Sequence, residues 1–179
     1  MSVIKNCLIT NTDATILKEY CVDKSNPLYV QYRGFNTCIN LEADAVYSPY
    51  YGRVSQVSGN HRFGYSVVIS INSEQAIKFS HLRTLIVEWN DFVDVGQKIG
   101  AANKYVSFEY ITTYVKNQYD TMVSGVKMYK DDPMKVIDPS NSVIVATPQK
   151  FDDSGLRGVV SALDGGTYSI EPDASGSKA

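Results

Sequence analysis

Two histidines, His61 and His81, and three cysteines, Cys7, Cys21 and Cys38, are the side chains of this 179-residue chain best suited to bind a transition metal. Their spacing is poor for that purpose. The cysteines are odd in number and form no CxxC, so they read as isolated, reduced thiols rather than a zinc ribbon or a disulfide framework. Asp131-Asp132 and Asp152-Asp153 read as solvated loop acids, not as an acid/base pair. Gly96 and Gly100 flank Lys98, but no GK[ST] follows, so they make no phosphate loop. No familiar local catalytic motif is left.

The composition narrows the class further. Seventeen basic against nineteen acidic residues give a net charge of −2, and no basic run interleaves with aromatics, so nucleic acid is not expected as a partner. No stretch approaches the roughly 18 apolar residues of a membrane span. The opening MSVIKNCLITNTDATILKEY has no basic region followed by an apolar core and a small-residue cleavage site, so no secretory signal is expected. The length suits one domain with extensions, large enough to bury a core without disulfides. The 13 tyrosines suit half-buried strands, where the ring packs and the hydroxyl stays wet.

The elements that must position any site are mostly strands. Residues 45–47, 53–57, 65–71 and 75–79 run or alternate with Val, Ile, Tyr and Phe between turn residues. Pro49 and Gly52 bracket one turn, Gly59-Asn60 and Gly64 a hairpin, and Asn72-Ser73-Glu74 another turn. Elsewhere the pattern predicts a helical turn over Ile16–Tyr20, a strand over Leu28–Tyr32 and one short helix at about 112–124. Pro133 then breaks the chain, and Val136-Ile137 and Val143–Val145 read as short strands. From about 151 the composition turns to Gly, Ser, Asp and Ala, too polar to order itself. The expected division is an N-terminal extension (1–29), a β domain (30–110), a C-terminal extension (111–150) and a flexible tail (151–179). The fold class is mainly all-β, a barrel or sandwich.

Several ordered motifs resemble one family. Ala45–Val54 (AVYSPYYGRV), Gly64–Ile69 (GYSVVI), Phe79-Ser80-His81-Leu82, Val87–Gly100 (VEWNDFVDVGQKIG) and Tyr105–Glu109 (YVSFE) follow one another as in the lysostaphin-type zinc metallopeptidases. That resemblance implies a barrel-sandwich built on a duplicated hybrid motif, and a cell-wall peptide-cleaving ancestry. The SPYYGRV and VDVGQKIG turns are also similar to those of biotinyl and lipoyl carrier domains. Those carriers present a modified Lys on a hairpin tip, whereas SGNHRFG has none, so only the architecture is shared.

The resemblance also implies which positions would hold zinc, and the residues there are unsuitable. The family's His-x₃-Asp segment falls on Arg33–Thr37, so Arg33 stands for a histidine ligand and Thr37 for the aspartate. In the closing strand Tyr105 stands for an auxiliary histidine and Ser107 for the ligand histidine. Of that constellation His81 alone survives, and the loop at 101–104 is shorter than the family's. A catalytic zinc needs three protein ligands and an open position. Arginine is donor-only, and Thr and Ser hydroxyls are weak neutral ligands. Arg33, Thr37, His81, Tyr105 and Ser107 are therefore expected to be vestigial, with no metal and no cofactor. A cluster of Cys38, His81 and Glu109 is not expected either, because strand alternation turns Cys38 away from the face of Thr37. Arg33 reads equally as a partner for a carboxylate of another protein and as an ordinary surface charge.

The resemblance then implies a catalytically inactive, peptidase-like structural or interaction protein. Phages build such domains into tail tips and baseplate hubs, so the expected setting is a virion and the expected partners are other structural proteins of that assembly. The alternatives are a non-hydrolytic peptidoglycan-binding module and a divergent active endopeptidase.

Overall fold

The computed structural model describes residues 2–141 and, beyond them, only the backbone of two short strands, at 159–161 and 167–169. The strands expected at Val143–Val145, and most of the tail expected from 151, lie outside the described residues. Thirteen strands are described: β1 (Val3–Cys7), β2 (Thr12–Lys18), β3 (Ile39–Glu42), β4 (Ala45–Tyr47), β5 (Gly52–Asn60), β6 (Gly64–Asn72), β7 (Gln75–Leu85), β8 (Phe92–Val93), β9 (Lys98–Thr112), β10 (Asp120–Val123), β11 (Val126–Asp131), β12 (Val159–Ser161) and β13 (Thr167–Ser169). Two short helices, α1 (Pro27–Tyr32) and α2 (Met134–Ile137), interrupt them. β1 to β11 form one antiparallel sheet, ordered β1-β2-β3-β9-β7-β6-β5-β8, and β12 pairs with β13.

β9 organises the sheet. Its second half alternates Val106 and Phe108, both inward, with Tyr105, Ser107 and Glu109, all on the other face. Along one edge it pairs with β7 from Gln75↔Thr112 to Leu85↔Gly100. Along the other it pairs in turn with β4, β3 and β11. Gly100 lies where β9 passes closest to β7, and a Cβ there would collide with the Thr84 carbonyl oxygen. The core fills the inward face. Phe79 and Phe108 meet edge to face, 5.0 Å between centroids, and Ile4, Ile9, Leu41, Val46, Ile69 and Val136 pack around them. Residues 1–29 thus contribute β1 and β2 to the sheet and apolar side chains to the core.

Four expected elements have another form. The helical turn at Ile16–Tyr20 is instead the end of β2 and the two residues after it; the β-branched residues of β2 pair with β1 and β3. The strand at Leu28–Tyr32 is instead α1: the Asn26 side chain accepts from the Leu28 N–H at 2.9 Å, Pro27 opens the first turn, and Arg33 closes the helix at φ 60. The helix at 112–124 is instead the end of β9, a turn and β10. Thr112 and Asn117 side chains accept from Tyr114 and Tyr119 N–H groups, competing with helical bonding. Ser124 and Gly125, both at positive φ, then close the two-residue β10–β11 hairpin. Val136-Ile137 belongs to α2, not to a strand; Asp132 accepts from the Met134 N–H at 3.0 Å, and the turn buries Val136 and Ile137.

Several tyrosines carry their hydroxyls into this core. Tyr50 donates to the Val136 carbonyl at 3.1 Å, and Gln75 Nε2 donates to the Tyr110 hydroxyl at 2.8 Å. Burial, with Asp131 and Asp132 nearby, pushes the Tyr20 phenol up to about 12, and burial raises Tyr50 and Tyr110 as well. Above pH 10, the ordinary phenol value, the unfolded chain loses these protons while the folded chain keeps them. Stability should therefore fall as pH rises from 10 towards about 12. Urea midpoints taken between pH 9 and 11.5 check this, and a midpoint that does not decline contradicts it.

Candidate functional site

The face of the sheet opposite the core carries the positions singled out above. Their placement begins with Asn36, which is buried and bridges backbone to Cys21 in both directions at 2.8 Å. Its Nδ2 also donates to the Glu19 and Cys38 carbonyls at 2.7 and 2.8 Å. This pins the segment ahead of β3 and holds Thr37 and Cys38 over β9.

The second positioning device is a double irregularity between β7 and β9. Ser80 faces Ser107, yet two residues later Leu82 faces Ala102, so β9 swells over Asn103–Val106. His81 at φ 68 and Lys104 at φ 77 absorb the bend in left-handed conformations. The His81 ring stacks on Tyr105, with centroids 3.8 Å apart, and its Nδ1 lies 3.0 Å from the Tyr105 carbonyl oxygen. A carbonyl can only accept, so Nδ1 carries the proton.

Beside this pair runs a row of polar side chains across the strands. Ser107 donates to Asn40 Oδ1 at 2.9 Å, and Ser66 donates to Ser80 at 3.1 Å. The Cys38 thiol sits 3.2 Å from Asn36 Oδ1 and 3.5 Å from Asn40 Oδ1. Cys38 lies in a bend, not a strand, so alternation does not turn it away from the neighbourhood of Thr37; that reason for setting the thiol aside does not hold. Burial, then the Glu109 carboxylate, pushes the thiol up from its ordinary value.

One ion pair closes the row. Lys130 Nζ lies 2.7 Å from Glu109 Oε2, with both side chains largely buried, and the Thr37 hydroxyl donates to the same oxygen at 3.2 Å. β11 brings Lys130 here, opposite Ile111 on β9, while Val123 and Met128 of the β10–β11 hairpin cover Val68, Ala76 and Ile111. Neither Glu109 with Lys130 nor the hairpin is legible as part of a site in the sequence.

Thr37, His81, Tyr105 and Ser107 therefore lie along one face of the sheet, on β9 or the segments against it. Arg33 stands apart, exposed at the C-terminal end of α1, with no hydrogen bond or ion pair from its side chain among the described residues. These donors do not fit a catalytic zinc. Thr37 and Ser107 hydroxyls spend their protons on Glu109 and Asn40, His81 is stacked and bonded to Tyr105, and an ammonium holds the nearby carboxylate. Among the described residues no three His, Cys, Asp or Glu side chains group as metal ligands. His61 lies exposed in the β5–β6 hairpin tip.

This architecture is the lysostaphin-type peptidase fold. Among solved structures, a chain of the SpoIIQ–SpoIIIAH pore-forming complex is similar, with a TM-score of 0.55 and 17% identity over 73% of this chain and 86% of that one. The solution structure of lysostaphin is also similar, with a TM-score of 0.53 and 15% identity over 82% of this chain and 61% of that one. No protein-family model matches the sequence, and no curated protein does. At such identities the likeness establishes the fold alone.

The ion pair has a measurable consequence. Lys130→Met leaves a buried carboxylate without its cation and should destabilise the fold by about 1–3 kcal/mol. The double variant Lys130→Met/Glu109→Gln should recover part of that loss. Urea unfolding of the two variants and the parent measures both effects.

Proposed function

We propose that this protein is a catalytically inactive, peptidase-like structural protein, one that works by contact with other proteins of a larger assembly. The observation that carries this reading is the filled state of the open face. Lys130, Thr37 and Glu109 neutralise and satisfy one another, and Thr37 stands where the resemblance would put a metal ligand of a hydrolase of this fold. On that face the Thr37 and Ser107 hydroxyls are engaged with Glu109 and Asn40, and burial raises the Cys38 thiol rather than activating it. The assembly proposed is a phage tail tip or baseplate hub, and the virion its location. A fold shared with a chain of the SpoIIQ–SpoIIIAH pore-forming complex is compatible with a role in assembly.

Two measurements test this. The purified protein, given excess zinc and then desalted, should retain far less than one zinc per chain and leave the turbidity of a cell-wall suspension unchanged. Stoichiometric zinc with wall lysis overturns the reading. Capture by purified peptidoglycan without lysis supports the wall-binding alternative instead. Presence in purified virions is expected of the tail or baseplate placement, and absence from them removes that placement.

A further inference from the structure

We propose that this chain associates with a second copy of itself head to tail, the β5–β6 hairpin tip of one copy docking on the Ile86–Gln97 loop of the next. The contact goes beyond the reading above and does not rest on the open face being inactive.

The tip is a rigid, cationic, apolar knob. Gly59 and Gly64, each at φ 96, turn the chain, and Asn60 Oδ1 accepts from the Arg62 and Phe63 N–H groups, both at 2.9 Å. That leaves His61 and Arg62 exposed beside Phe63, which is 74% exposed under the Arg62 guanidinium. Ser58–Gly64 contains no acid. An aromatic ring presented this openly on a fixed turn loses little freedom on docking, which favours its use as an anchor.

The loop is its complement. Ile86 and Trp89, the chain's single tryptophan, are 62% and 65% exposed, three residues apart. Glu88, Asp91 and Asp94 lie in the same segment, with no cation anywhere in Ile86–Gln97. Arg53, which donates to Asn90 Oδ1 at 3.0 Å, returns one positive charge at the base of the loop. This surface is also fixed: Asp91 Oδ2 accepts from the Glu88 N–H at 2.8 Å, and Asn90 and Asp91 bond to the Val54 backbone at 2.8 Å. An acidic apolar patch thus matches a basic apolar knob in charge and in the kind of side chain offered. The two surfaces are different, so a contact between copies is heterologous: it closes into a ring or propagates as an open chain.

Sedimentation of the 179-residue chain across the micromolar to millimolar range tests the contact. The parent should associate with rising concentration, and less so at high salt, where surface charge is screened. Arg62→Glu and Glu88→Lys, both at exposed positions, should each weaken association at least about tenfold, since each opposes like charges. An equimolar mixture of the two variants should associate again, because the residue at 62 of each then meets a residue of opposite charge at 88 of the other. Phe63→Ala should weaken association by a similar factor without altering the circular dichroism spectrum. A parent that stays monomeric throughout, association that the single variants leave unchanged, or a mixture that stays monomeric overturns the proposal.

Discussion

The ladder between β7 and β9 is the constraint on which the rest of the molecule depends. It places Phe79 against Phe108 in the core and Ser80 against Ser107 on the open face in the same pairing. Slipping the register by one residue would exchange those two sets. Burial of the phenylalanines therefore fixes the polar row. The break in pairing after Ser80 follows from the same ladder. β9 must continue to Gly100, beside β4, while accommodating an excess of residues, and left-handed His81 and Lys104 take up that excess. His81 is thus where the backbone bends as well as the surviving residue of a motif. Its stacking on Tyr105 is a packing role that explains the residue without catalysis.

The β core was readable because short strands between glycine and asparagine turns leave few architectures. The hairpin at Gly59–Gly64 and the turn at Asn72-Ser73-Glu74 are local devices, and local devices are written in local sequence. The misread elements share a different cause. Leu28–Tyr32 has strand-like residues, but Asn26 and Pro27 begin a helix and no ladder reaches it. Residues 112–124 have near-helical spacing, yet their apolar members serve β9 and the edge hairpin, whose pairing depends on distant residues. A period alone cannot distinguish the two, because the winner is decided by which partners are in reach.

What fills the open face was not legible in the sequence. The residue types at Thr37, Tyr105 and Ser107 already disfavour zinc on chemical grounds. Lys130 could not be associated with Glu109 while its segment was expected to follow a helix. Strand alternation was applied to Cys38, which lies in a bend ahead of β3, where that rule does not hold. Both errors concern where a ladder stops, and that is set by Asn36 and by the Ser124-Gly125 turn, neither of which advertises itself by hydrophobic pattern.

The electrostatics of the face favour this arrangement over a restored metal site. A carboxylate largely removed from water needs a counter-charge, and Lys130 supplies one as part of the chain. Histidine at Ser107 and a carboxylate at Thr37 would still leave that ammonium close by. A divalent cation entering beside it would meet repulsion that the low-dielectric surroundings make strong. Replacing the Thr37 hydroxyl would also leave Glu109 with one donor fewer. Recovering a metal centre therefore requires removing the ion pair as well as supplying ligands. Removing the ion pair loosens the β10–β11 hairpin, since Lys130 links it to β9 across the same rungs that cover Ile111. Folding energy and metal binding make opposed demands on this face, and in this sequence the residues serve the fold.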